Sequence, residues 1–315
     1  MVALAGLAFA PARPAGPSPV AADQPIGVVI VLPGPLPGNV LVADHIRSRL
    51  QSAMRQPIDF HTEFIEEVRF PGRADLFADV PIVFTGVRPT DVTAAVGLPA
   101  GVTGVWRPLP VADTVDAALT LQPDTERVVV ISGTSHSERA FLQDVRTGLT
   151  VYEKRLQVSH LTDRPMRDVL ASVSTLPPRT VVLYQMLQRD SEDNTFVPHQ
   201  ALAMISKASS VPVWGMFEPY VGHGAVGGRV ISFTDLGTRT GRLGAEILTA
   251  GPGAPLPPPR EAPGVYRFDW RELQRWRLDE RRLPPGSTVL HRGKTTWEEY
   301  GWLIGITVLS GGASS

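Results

Sequence analysis

A chain of 315 residues is long enough for two domains of ordinary size or one elaborate one. Its 30 basic and 31 acidic side chains leave a net charge of -1, without the basic surplus or stripe that a nucleic-acid footprint needs. There is no cysteine, which excludes a disulfide framework, a thiolate zinc site and a cysteine nucleophile, and suits an oxidising compartment.

The opening, MVALAGLAFAPARPAG, carries an apolar stretch from Val2 to Ala10 followed by small residues and prolines. Residues 1–23 therefore read as a signal or membrane remnant, or as a disordered start. From Pro25 the pattern becomes regular. IGVVIVLPG (26–34) is apolar on both faces, as a buried parallel strand requires. NVLVADHIRSRLQSAM follows as a helix with Asn39 as its cap. PIDFHTEFI and VPIVFTGV are the next strands, and a helix is predicted over 111–121. The alternation then restarts. RVVVISG, LQVSHLT, TVVLYQML and VPVWGMF are strands, separated by the helices HSERAFLQDVRTGL, MRDVLASVSTL and VPHQALAMISKAS. After GGRVISF a last long helix runs from about 235 to 250, and GPGAPLPPPREAPG is a stiff proline-rich connector.

This order predicts an α/β protein of two doubly wound, Rossmann-like lobes joined by hinge crossovers. Lobe 1 is expected over 24–124 plus 234–251 and lobe 2 over 125–233. A connector and juxtamembrane tail cover 252–300. The run at 301–309, within TTWEEYGWLIGITVLS, is too short to cross a bilayer, which takes about 20 apolar residues. Trp and Tyr ahead of it suit a membrane interface, so it reads as the start of a transmembrane helix. The other reading is a short buried strand.

Motifs with chemical content are few. Gly222-His-Gly-Ala-Val-Gly227 matches GxGxxG, but a strand-like segment follows where a helix is needed to meet a pyrophosphate. Ser132, Ser135 and Ser137 lack a GxSxG elbow. His136 and Glu138 have no metal-binding partners at a convincing spacing, and His223 reads as a turn histidine. Neither cofactor nor metal is expected. In open parallel sheets ligands sit beyond the carboxyl ends of the strands. Those ends nominate Pro33, Gly34, Thr85, Gly86, Gly133, Thr134, Ser135, Tyr184, Gln185, Phe217, Glu218 and Tyr220 as a small-molecule cleft between the lobes. Gln122, Glu126, Gly222, Gly224 and Gly227 are the expected hinge positions, where glycine absorbs φ/ψ change.

FPGR (70–73), VPIVFTGV, PVWGMFEPYVGHGAVGG, DLGTRTGRLGAEILTAG, FDWRELQRWRLDERRLPPGSTVL and TTWEEYGW together resemble the extracytoplasmic sensor region of bacterial membrane histidine kinases. That region is similar to the substrate-binding proteins of ABC transporters, in the type I periplasmic-binding fold. The resemblance implies an extracytoplasmic, membrane-anchored, non-enzymatic domain. It would bind a small solute, signal by lobe closure through Trp270, Trp276 and Trp297, and work as a homodimer in the full-length receptor. One departure stands out: the family carries an extra helix–strand–helix before the VPIVF strand, and here Gly72 lies only just ahead of Val80. A transporter's solute-binding component is the alternative. An α/β hydrolase using Ser135 or Glu218 is the rival from another class.

Overall fold

The computed structural model describes residues 5–10, 25–32, 37–64, 80–88 and 101–293. Two sheets organise it, each with its own core. In the first, β1 (Ala5–Ala10), β2 (Ile26–Leu32), β3 (Ile58–Phe64), β4 (Ile82–Val87), β5 (Val102–Trp106) and the short β11 (Arg260–Glu261) lie in the order β11-β5-β4-β1-β2-β3. All pairings are parallel except those of β1. The helices α1 (Pro37–Ala53) and α6 (Phe233–Ala250) pack together beside this sheet. Val28, Ile30, Val83 and Val105 meet Ile46, Leu50, Leu236 and Leu243 in the core. Gly237 and Gly241 allow the close approach: a Cβ on Gly237 would stand 2.6 Å from the Val42 carbonyl oxygen. Asn39 is not the cap of α1, because the helix already begins at Pro37.

Of residues 1–23, only 5–10 are among the described residues, and these form a strand. Ala5–Ala10 is an antiparallel strand between β2 and β4, with Leu7 opposite both Ile30 and Val83. The stretch before β4 where the helix–strand–helix is expected lies outside the described residues, and β1 stands between β2 and β4. Paired on both edges, it leaves no open ladder inside the sheet.

The second sheet has β6 (Arg127–Ser132), β7 (Gln157–Leu161), β8 (Thr180–Met186) and β9 (Val213–Gly215), all parallel, in the order β7-β6-β8-β9. Helices α2 (Val111–Leu121), α3 (His136–Leu149), α4 (Met166–Ser174) and α5 (Pro198–Ala208) cover it. Next to β9 lies a three-stranded sheet of β10 (Gly227–Val230), β12 (Val265–Asp269) and β13 (Thr288–Leu290). Hydrogen bonds from Val226 N to Val213 O and from Ile231 N to Met216 O join the two.

Three of the expected boundaries move. Helix α2 was assigned to lobe 1, yet Val111, Val115, Ala118 and Leu121 are buried in the second core. Each buried Val or Leu contributes about 1.5–3 kcal/mol there, so the helix belongs to lobe 2 and the first crossing lies at 107–110. The second crossing is at Ser232, just before α6, and the third lies between β11 and β12. The tail is not a free connector either. Phe268, Leu273 and Leu278 are buried in the second core, and α7 (Trp270–Arg275) is fixed to lobe 2. Among the described residues no helix is long and apolar enough to cross a membrane. The run at 301–309 and Trp297 lie outside the described residues.

The expected hinge residues are likewise inside lobe 2. Gln122 and Glu126 sit at the amino-terminal edge of the second sheet, opposite the carboxyl ends. There Gln122 Oε1 accepts from Trp214 Nε1 at 3.3 Å and Glu126 pairs with Arg179 at 2.8 Å. Gly222 and Gly224 do have positive φ, +101° and +100°. They shape a turn closed by a bridge between Val221 and Ala225, not a crossing. Gly227 lies in β10, where a Cβ would collide with the Arg267 carbonyl of β12.

Candidate functional site

The carboxyl ends of β4 and β5 bring two arginines to the seam between the lobes. Arg88 directly follows β4, and its Nη1 is 3.4 Å from Asp144 Oδ2 on α3 of the other lobe. Arg107 directly follows β5 and is 7% exposed. Its guanidinium lies 5.2 Å from the Phe141 ring centroid and 5.5 Å from that of Phe217. Arg88 covers Phe141 as well, at 5.5 Å. Phe217 is stacked on Phe233 at 6.3 Å and meets Tyr220 edge-on at 5.4 Å. Phe233 packs against both cores. A guanidinium on an aromatic face is held by the ring quadrupole, worth about 2 kcal/mol or more when desolvated.

Both lobes end their central strands on a bulge. In lobe 1 it is at Gly86 (φ +70°), between Thr85 and Val87. In lobe 2 it is at Gln185, between Tyr184 and Met186. Bulges re-aim side chains at strand ends. Gln185 is fully buried; its Oε1 accepts from Ser132 Oγ at 2.5 Å, and its Nε2 has no partner among the described residues. A buried amide donor without a partner costs about 1–3 kcal/mol, which an acceptor on a bound solute would recover.

Of the residues nominated from the sequence, Phe217 reaches the Arg107 seam. Gly133, Thr134 and Ser135 are brought together with the loop after β8. Gly133 N donates to Met186 O at 2.8 Å and Thr134 N to Arg189 O at 2.9 Å. A side chain on Gly133 would collide with Glu138 Oε1 and the Arg189 carbonyl. Ser135 caps α3 in a reciprocal box with Glu138, which is why that serine and that buried acid are there. Thr134 and Ser135 also line a cavity of about 480 Å³ with His136, Arg139, Asp163 and Arg189, at the carboxyl ends of β6, β7 and β8. Among the described residues no three His, Cys, Asp or Glu side chains are placed to hold a metal ion.

The polar atoms of other nominated residues are engaged within the protein. Thr85 is buried and its hydroxyl is bonded to Thr240 of α6 at 2.7 Å. Tyr184 is fully buried; its hydroxyl donates to Pro198 O at 2.7 Å and accepts from Leu187 N at 2.9 Å, and burial pushes its pKa far up. Tyr220 donates to Gln185 O at 3.0 Å. Glu218 is held by Ser232 Oγ at 2.8 Å and by Arg267 at 3.3 Å, so both its oxygens are in use. Pro33 and Gly34 lie outside the described residues. Tyr184→Phe is therefore expected to leave solute binding unchanged. It should lower stability by about 1–3 kcal/mol through the orphaned Leu187 N–H, measurable as a lower urea midpoint at unchanged m.

Sequence reading missed Arg88, Arg107, Phe141 and Phe233. The rule that found the others applies to the arginines too, since each stands one residue beyond a strand. The phenylalanines had no such signal, because they sit on helices whose docking only the tertiary fold shows.

The chain matches the family model described as ABC transporter substrate binding protein over residues 74–261. Structures with the same fold include the ABC domain from Streptococcus pneumonia in complex with L-Trp. It is 16% identical, covering 84% of this chain and 98% of that one, with a TM-score of 0.59. The ligand-free, open structure of CD0873, a substrate binding protein with adhesive properties from Clostridium difficile, is 15% identical. The match covers 80% of this chain and 96% of that one, with a TM-score of 0.61. A conserved domain protein from Vibrio cholerae is 16% identical over 81% of this chain and 96% of its own, with a TM-score of 0.57. No curated protein matches the chain. The α/β fold is thus type I periplasmic-binding-like, and the chain belongs to the ABC transporter substrate binding protein family.

Proposed function

We propose that this chain is an extracytoplasmic receptor that closes on a small planar carboxylate between its lobes. The observation that carries the reading is Arg107, which reaches from the end of β5 to cover Phe141 and Phe217 of the other lobe. Around it the described polar atoms favour an acceptor. Arg107 and Gln185 Nε2 are donors, while the oxygens of Glu218 and Gln185 are already engaged and Arg88 is paired with Asp144. A ring carried by the solute would stack among Phe141, Phe217 and Phe233. The relative crystallised with L-Trp supports an aromatic carboxylate.

Closure would be read by the tail. The segment through β11 belongs to lobe 1 and the segment from β12 onward to lobe 2, so a change in the angle between lobes moves residues 265–293 relative to α6. In the sensor region of a membrane histidine kinase, such a movement would be the output signal. The family match favours equally a component that delivers solute to an ABC permease.

Thermal shift with L-Trp, indole-3-acetate and benzoate, each beside its neutral analogue, tests the site. Carboxylates should raise Tm and their neutral counterparts should not; equal shifts would sink the anion reading. Membranes holding the natural full-length product then separate the two roles. Solute-dependent phosphorylation from ATP supports sensing, and solute uptake without it supports transport.

A further inference from the structure

We propose a second site, for a divalent transition-metal ion, at the paired imidazoles of His199 and His223 on the outer wall of lobe 2. Their ring centroids are 4.5 Å apart and their planes are inclined at 56°. A nitrogen–metal bond of about 2.0–2.1 Å puts two cis imidazoles of one ion at roughly this separation. His223 is already set for the task. Its Nδ1 stands 2.8 Å from the Pro219 carbonyl, which only accepts, so Nδ1 carries the proton and Nε2 keeps its lone pair. That is the arrangement in which a backbone carbonyl orients a metal-binding histidine. His199 stands at the start of α5, beside the His223 ring. Beside them is a cavity of about 340 Å³ lined by His223, Lys207, Glu272 and Arg275. Glu272 is engaged by Arg275 at 3.3 Å and by Trp276 Nε1 at 3.1 Å, so the two imidazoles are the protein ligands. Water would complete the coordination.

The position gives the ion a consequence. His223 lies in the turn that follows Phe217 and Tyr220, and the turn holds the tail: Arg271 donates to Gly222 O at 3.2 Å, and His291 packs on Gly222. An ion bridging His199 and His223 pins this turn to α5, stiffening both the aromatic wall of the cleft and the seat of the tail.

The test is titration of tag-free protein with Cu²⁺ alone, followed by electron paramagnetic resonance, and with Zn²⁺ by calorimetry. One ion per chain with a two-nitrogen Cu²⁺ signal is expected. His199→Gln and His223→Gln should each weaken binding by roughly tenfold or more, while His61→Gln, on β3 of the other lobe, should not. Amide exchange of unmodified protein gives a readout independent of variant folding: Zn²⁺ should slow residues 220–226 and the start of α5. Binding unchanged in the double variant, a one-nitrogen signal, no saturable binding, or exchange unaltered at the turn would each overturn the proposal.

Discussion

Arg107→Gln should remove most of the stabilisation that an aromatic carboxylate confers on this protein. At a carboxylate concentration of about 100 times Kd, binding to the native state alone is worth roughly 2.7 kcal/mol, a readily measured rise in Tm. A charge-assisted bond from a desolvated guanidinium contributes about 1.5–3 kcal/mol, so its loss weakens binding about 10- to 100-fold and leaves only about 0.4–1.4 kcal/mol of that stabilisation. Arg107→Lys separates charge from geometry. Lysine restores the positive charge but not the planar group that lies over Phe141 and Phe217, so it should recover only part of the affinity. The Tm without solute is the necessary control, because truncating a buried arginine also removes the packing of its stem. Full solute-induced stabilisation in Arg107→Gln would place the binding site elsewhere.

Asp190→Ala is expected to be the most damaging single change to lobe 2 outside its apolar core. This carboxylate is 1% exposed and organises the loop after β8. Oδ1 accepts from Glu192 N at 2.9 Å and Asn194 N at 3.0 Å, and Oδ2 from Met166 N at 3.0 Å and Asn194 Nδ2 at 3.1 Å. Burial by itself would raise its pKa. The bonds from the Asn194 side chain and from the N–H groups of Met166, Glu192 and Asn194 outweigh that and hold it below the ordinary carboxylate value. Removing it leaves several donors unpaired, a loss of about 3 kcal/mol or more. The sign in pH follows from the lowered pKa. The contribution is present above the unfolded aspartate pKa of about 3.9 and disappears as pH falls through the lower folded value. Urea unfolding at pH 7 and near pH 3 should therefore show a smaller gap between Asp190→Ala and the parent at acid pH. An equal gap at both pH values would mean that the charge is not what holds the loop.

The second prediction concerns a residue with no signal in the sequence. Asp190 stands in QRDSEDNT, a polar loop between a strand and a helix, where an acid reads as solvated. Only folding brings the start of α4 against it through Met166 N. Tyr184 and Glu218 carry the opposite lesson. Their chemistry and their places at strand ends nominated them for ligand contact, but the fold spends their polar atoms on Pro198, Leu187, Ser232 and Arg267. Whether a polar group is available depends on its neighbours in space, which residue type and position along a strand do not report.

What the sequence by itself determined is the alternation of strand and helix, and with it the fold class. VVVIS, VVLY and the helices between them declare themselves by apolar runs and helical spacing, signals local enough to survive without tertiary context. It also nominated the strand carboxyl ends for ligand contact, because parallel strands share a direction. The tertiary structure alone decided which lobe claims α2 and the tail, that β1 fills the space between β2 and β4, and that Arg107 meets Phe141 and Phe217. Those are outcomes of long-range packing, where an apolar helix face fits either of two cores equally well by pattern and only shape and partner distinguish them.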